Sequence, residues 1–222
     1  MHVKWYGQSA FSLESEGITV FIDPFGDMSA ARDRGMRWDY PPIEGVEADL
    51  LLVTHEHGDH NAVEAIGGDP VVIRSRAGSH DSPAGPVIGV ASEHDTVAGT
   101  ERGQNTIYVF SLGGLRVAHF GDFGQGALRE EQAAVIGEVD LALLPAGSGP
   151  TIGGEQAGAI ARRLGVRWVV PHHYRSARID FLEPVDELFG HVASVERLEQ
   201  PGFDVEDLPR GEGPIAVVPT AP

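Results

Sequence analysis

The sequence predicts an α/β chain whose sheets are covered by helices on their outer faces, and three observations lead there. Up to about Phe120 the chain breaks into short β-branched and aromatic runs separated by glycine turns. Beyond that point helix-like and strand-like segments alternate. Apolar residues make up 41% of the 222, enough for a sizeable core, yet no run approaches the ~20 that span a bilayer.

Taken in order, residues 3–6, 10–13 and 18–22 read as strands, with Gly7 and Gly17 between them, and Asp23-Pro24-Phe25-Gly26 stops the third. Residues 27–47 mix charge with Met36, Trp38, Tyr40 and Pro41-Pro42 and lack periodicity. They form a long loop, either a lid or a surface crossing that packs its aromatics on the core. Residues 49–53 are a buried strand, 61–66 a short helix closed by Gly67-Gly68, and strands follow at 71–74, 87–91, 106–110 and 116–120. A helix at 128–136, a strand at 139–144, a helix at 155–164 and a strand at 168–170 complete the alternation. Residues 185–189 suit a helix and 215–218 a last strand or a tail. No low-complexity stretch or linker divides the chain, so a single domain over 1–222 is expected.

Sixteen Lys and Arg against 33 Asp and Glu leave a formal charge of −17. Such a surface repels phosphate backbones and anionic headgroups, so neither nucleic acid nor a membrane is expected as partner. A small molecule is, since a bound cation can still draw an anion into a local site. The aromatics of 27–47 leave room for a homo-oligomer interface. There is no cysteine, which removes disulfides, thiolate nucleophiles and Cys-type zinc sites and leaves His and carboxylates as ligands. Met1-His2-Val3-Lys4-Trp5 lacks the charged and apolar pattern of a signal peptide, so a cytoplasmic location is expected.

The chemistry concentrates in Thr54-His55-Glu56-His57-Gly58-Asp59-His60, directly after the strand at 49–53. A turn at a strand end can send His55 and His57 to one side and Asp59 and His60 to another, so one loop serves two neighbouring cations. Three histidines lie between His60 and Asp122. His80 sits in a polar Gly/Ser/Pro stretch that suits a solvated loop. His119 lies on a strand three residues before Asp122, where it packs or supports. His94 ends an apolar strand, as His55 does, and emerges at the rim of a sheet.

His55-x-His57-x-Asp59-His60 resembles the HxHxDH signature of the metallo-β-lactamase superfamily. Gly121-Asp122 resembles that family's bridging aspartate, and Pro171-His172-His173-Tyr174 the segment with its last histidine. Trp5-x-Gly7-x-Ser9, Leu144-Pro145-x-Gly147 and His173-Tyr174 resemble the small lactonase-like branch, which includes ascorbate-6-phosphate lactonase-like proteins. The resemblance runs from about Lys4 to Tyr174. It implies a four-layer αββα sandwich and two divalent metal ions, zinc first, with manganese or iron also accommodated. It further implies His55, His57 and His94 on one ion, Asp59, His60 and His173 on the other, and Asp122 bridging. Asp59 would also orient the hydroxide that the metals activate, for cleavage of a small ester, lactone or phosphoester. Ser148, Thr151 and Tyr174 flank this centre as candidate substrate donors. Arg175 and Arg178 either grip an anionic substrate or are solvated. One departure is Gly7-Gln8-Ser9, where the branch usually has Gly-His-Ser; Gln8 hydrogen-bonds but does not titrate. Two alternatives stand beside this reading. A nuclease or RNA-processing phosphodiesterase of the same fold is opposed by the acidic charge and the short chain. A non-catalytic metal-binding or small-molecule-binding module has no evident use for two open metal positions.

Overall fold

Short alternating segments with tight turns pair with their neighbours, and here they build two mixed sheets. The computed structural model describes residues 1–222. The elements are β1 (His2–Gly7), β2 (Ala10–Ser15), β3 (Ile18–Ile22), α1 (Ser29–Asp33), β4 (Val46–Val53), β5 (Ile66–Arg74), β6 (Gly78–His80) and β7 (Val87–Glu93). They continue with β8 (Gln104–Leu112), β9 (Leu115–His119), α2 (Glu130–Ile136), β10 (Leu141–Pro145), α3 (Gly154–Arg163), β11 (Trp168–His172), α4 (Asp186–Phe189), β12 (Ser194–Arg197), β13 (Gly202–Asp204) and β14 (Ile215–Val218). One sheet has the order β13-β1-β2-β3-β4-β5, the other β12-β14-β11-β10-β9-β8-β7-β6.

On the first sheet the register aligns Trp5, Phe11, Ile22 and Leu52 across β1 to β4, and all four are fully buried. These rows and the inner rows of the second sheet share one continuous core. The helical layers are uneven. Helix α2 packs on β7, α3 on β10 and α4 on α3, so helix covers the eight-stranded sheet. The opposite face of the first sheet carries Lys4, Ser12 and Phe21 in one row. Lys4 and Ser12 there share a surface groove with Pro41, Pro42 and Glu44 of the long 27–47 segment. That segment is an ordered crossing: Trp38, Tyr40 and Ile43 are buried, and Trp38 packs edge-on to Phe25 at 5.4 Å and to Tyr40 at 5.7 Å.

The expected helix at 61–66 is instead a 3₁₀ turn, Val63–Ala65, and Ile66 already begins β5. Gly67 and Gly68, read as a helix stop, pair with Glu47 and Ala48 of β4. Gly68 has φ +84°, and a Cβ there would stand 3.0 Å from the Ala48 carbonyl, so glycine here serves a close strand approach. His80 lies on the short strand β6, its Nε2 donating to the Arg76 carbonyl at 3.1 Å.

Strand direction positions the site. β9, β10 and β11 are mutually parallel. β7 and β9 are both antiparallel to β8, so β7 points the same way as β9. The carboxyl ends of β7, β9 and β11 therefore share one rim. In the other sheet β3 and β4 are parallel. The two sheets are joined where β4 ends, through Thr106 N–H to the Thr54 carbonyl at 3.0 Å and the Tyr108 hydroxyl to the Val53 carbonyl at 3.2 Å.

Candidate metal centre

Four segments leave this rim and turn towards each other: 55–60 after β4, His94 after β7, Asp122 after β9 and His173 after β11. The Asp122 carboxylate is at their centre. Its Oδ2 lies 3.1 Å from His94 Nε2, 3.2 Å from His173 Nε2, 3.3 Å from His60 Nε2 and 4.0 Å from His55 Nε2. His57 Nδ1 is 3.0 Å from His55 Nε2, and Asp59 Oδ2 is 3.5 Å from His60 Nε2. The structure thus gathers His55, His57, His94, Asp59, His60, Asp122 and His173 around one point. His55, His57 and His94 form one ligand-competent group, and His55, His60 and Asp122 form another. All seven are buried except His57, which is exposed, and Asp59, which is partly so. The centre opens to solvent on the side of those two residues.

A surrounding layer of acceptors sets the ring tautomers. Asp23, fully buried, accepts the Thr54 N–H and hydroxyl, each at 2.7 Å, and the His60 Nδ1–H at 2.9 Å. Because the Thr54 hydroxyl gives its proton to Asp23, it accepts from His55 Nδ1 at 3.1 Å. His94 Nδ1 donates to the Pro150 carbonyl at 3.0 Å. Each of these bonds occupies Nδ1 and leaves Nε2 as the ring atom that faces Asp122, the orientation a metal-ligating imidazole needs.

The carboxylates and imidazoles of the centre set one another's charge. Burial alone would lower the His60 pKa, but Asp122, Asp59 and Asp23 outweigh it and hold that ring well above the usual range. His94 is raised likewise: burial opposes, and the hydrogen bond and charge of Asp122 prevail. Burial and the neighbouring imidazoles depress His55. Burial would raise Asp122, yet His173 and His60 keep it well below the carboxylate range. The residues fit cations. Two carboxylates and five imidazoles crowd into one place, and His60 Nε2, 3.3 Å from Asp122 Oδ2, is buried without a well-aligned hydrogen bond there, a donor set that suits a cation.

Behind Asp122 lies a polar network. The Ser9 hydroxyl donates to Asp122 Oδ1 at 3.3 Å and meets His172 Nδ1 at 3.1 Å. His119 Nδ1 accepts the Gly121 N–H at 2.9 Å, so its Nε2–H donates to the Ser9 carbonyl at 3.0 Å. His119 is thus a supporting residue, and His172 faces away from the cage. His173 lies beyond the end of β11 with φ +50°, so a left-handed turn parts the two neighbouring rings. Gln8, where the lactonase-like pattern has histidine, donates its amide to Asp59 Oδ2 at 3.2 Å.

Sequence reasoning missed Asp23, read only as a strand stop, as well as Thr54 and Pro150. Asp23 gave no local signal, since its role appears only once β3 lies parallel to β4, the strand that carries the histidines. The three candidate substrate donors have local partners. Thr151 gives its hydroxyl to the adjacent Ile152 carbonyl at 3.3 Å, and Ser148 stands against Gly153 before α3. The Tyr174 ring is buried in a stack on Trp5 at 5.6 Å.

Two local features carry predictions. Gly121 has φ +53°, and a Cβ there would lie 2.5 Å from Asn105 Oδ1 and 2.6 Å from the Thr54 side chain. Gly121→Ala is expected to destabilise the protein by about 2 kcal/mol, read from the urea midpoint. Asp95 caps the turn after His94, accepting the N–H groups of Val97, Gly99, Glu101 and Arg102 at 2.7–3.0 Å. Burial would raise its pKa, but these donors prevail and hold it at about 2. A depressed carboxyl stabilises the fold above its unfolded pKa and ceases to do so as pH falls through the folded value. The stability gap between the wild type and Asp95→Ala should therefore shrink as pH falls from ~4 towards 2.

Known proteins resemble this chain in sequence and fold. The family described as β-lactamase superfamily domain matches residues 2–173. A UPF0173 metal-dependent hydrolase of Thermococcus kodakarensis is 33% identical over 242 residues, covering 92% of this chain and 98% of the relative. One from Geobacillus sp. is 29% identical, covering 93% and 100%. A Thermotoga maritima structure, described as a Zn-dependent hydrolase of the metallo-β-lactamase superfamily, superposes with TM-score 0.78 at 29% identity over 98% of each chain.

Proposed function

The chain belongs to the metallo-β-lactamase superfamily, in its UPF0173 metal-dependent hydrolase family, and from that premise we propose that it hydrolyses a small ester, lactone or phosphoester at a two-metal site. His55, His57 and His94 would hold one divalent ion, and Asp59, His60 and His173 the other, with Asp122 between them. Zinc suits these ligands, and manganese or iron would also be accepted. When bound, such a pair lowers the pKa of water and polarises a carbonyl or phosphoryl oxygen.

The protein's own part is positional. Asp59 stands on the open side of the cage, held ionised because His60 outweighs the opposing effect of burial, and steadied by the Gln8 amide. It is the group that orients the attacking oxygen. Asp23, Thr54 and Pro150 keep three imidazoles in the tautomer that faces inward. No Ser or Cys nucleophile is required.

The observation that carries this reading is the convergence of four imidazole nitrogens within 4.0 Å of one buried carboxylate oxygen, Asp122 Oδ2. Lactone, ester and bis(p-nitrophenyl) phosphate panels, run with Zn, Mn or Fe, test it. Turnover in at least one class is expected, with His57→Ala reduced to background. Rates equal to buffer for every class and metal would refute it.

A further inference from the structure

Along the same rim, the carboxyl ends of β11, β14 and β12 lie side by side, since β14 is parallel to both its neighbours. A cavity of about 570 Å³ opens there, lined among others by Tyr174, Arg175, Ser176, Arg178, Asp186 and Arg197. Ligands of open α/β sheets bind in such crevices outside the carboxyl ends of parallel strands.

The charge of the residues lining this cavity is opposite in sign to that of the molecule. In a chain of net charge −17, three arginines and one acid, Asp186, line it, with Glu183 beside Arg175 and the last residue, Pro222, beside Arg178. Their anchoring leaves donors free. Arg178 gives Nε to a carboxyl oxygen of Pro222, the last residue, at 2.6 Å, and Arg175 gives Nε to the Leu182 carbonyl at 2.6 Å, so both forks are held in place by one nitrogen each. Arg175 has only a loose ion pair, 3.7 Å from exposed Glu183. The Arg197 guanidinium stands over the Phe189 ring, 4.7 Å from its centroid. Guanidinium groups fixed by main-chain oxygens and an aromatic face are prepared for bidentate binding of an oxyanion, with less freedom to lose than solvated arginines.

We propose that this cavity is an oxyanion-binding site, separate from the metal cage, which takes a phosphate or carboxylate group of a small molecule. It adjoins the cage through Tyr174, the residue after His173, whose ring stacks on Trp5. Trp5 in turn donates Nε1–H to the Gln8 carbonyl at 3.0 Å. An anion seated here therefore touches the chain one residue from the cage while leaving the cage itself free.

Calorimetric titration of the full chain with inorganic phosphate, at constant ionic strength, tests the proposal. One saturable site is expected. Arg197→Gln, which removes a guanidinium that anchors no main-chain group, should weaken it about tenfold or more, and Arg175→Gln likewise. The exposed control Arg34→Gln should leave the affinity unchanged. His57→Ala should also leave it unchanged, and this separates the cavity from phosphate drawn to metals. Absence of saturable binding would overturn the proposal. So would affinity that survives Arg197→Gln and Arg175→Gln together, or that disappears in His57→Ala.

Discussion

Asp122→Ala is expected to abolish high-affinity metal binding and to reduce hydrolysis of any responsive panel substrate on the order of 10³-fold or more. Asp122 Oδ2 is the one atom that all the converging Nε2 nitrogens approach, and its charge is what the buried rings of His60 and His94 respond to. Without it four buried imidazoles face each other with no shared counter-charge, and a cation entering the cage meets only Asp59. Asp122→Asn isolates the charge, because an amide can keep the Ser9 contact at Oδ1. Its metal affinity should fall nearly as far as that of the alanine variant. Equilibrium dialysis with zinc reads the binding, and steady-state rates read the activity. An Asp122→Asn protein with wild-type affinity would mean that the carboxylate only fills space.

Asp23→Ala should have the second largest effect, and it acts through stability first. Removing the carboxylate leaves the Thr54 N–H, the Thr54 hydroxyl and the His60 Nδ1–H buried together without their acceptor. Breaking such a charged buried network costs about 3–5 kcal/mol. Denaturant unfolding with chelator present should show that loss directly. Freed from Asp23, His60 loses the bond that turns its Nε2 inward and the Thr54 hydroxyl that accepts from His55 loses its anchor, so zinc affinity should drop roughly 10–100-fold in the folded fraction. A variant with unchanged midpoint and unchanged affinity would refute the tautomer argument.

The parts of the fold legible in the sequence are those where pattern and local chemistry agree. The strands around Trp5, Phe11, Ile22 and Leu52 alternate or run apolar as buried strands do, and they appear with ends moved by a few residues. The histidine loop was visible because its spacing after a buried strand is itself the structural reason for the cage. His94 was legible through a parallel argument, an apolar strand ending at the same rim. Gly67-Gly68 was misread because a glycine pair stops a helix and permits close strand contact equally well; only the partner, Ala48, decides. Strands β6, β12 and β13 are too short, at three or four residues, to carry a period of their own. Asp23 was hidden for another reason. Its role depends on a parallel neighbour, β4, which lies far ahead in the chain, and a local reading sees only Asp-Pro after a strand. The stacking of the Tyr174 ring on Trp5 depends on the left-handed turn at His173, which no local pattern announces.

Under the proposed function, side chains from four separate segments form one centre for two cations. Zinc titration of the metal-free full chain, followed by calorimetry, tests it most directly. About two equivalents should bind to the wild type, and about one should remain in His57→Ala and in His173→Ala, each variant losing a different ion. Failure of the wild type to bind zinc, or two equivalents retained by both variants, would contradict it.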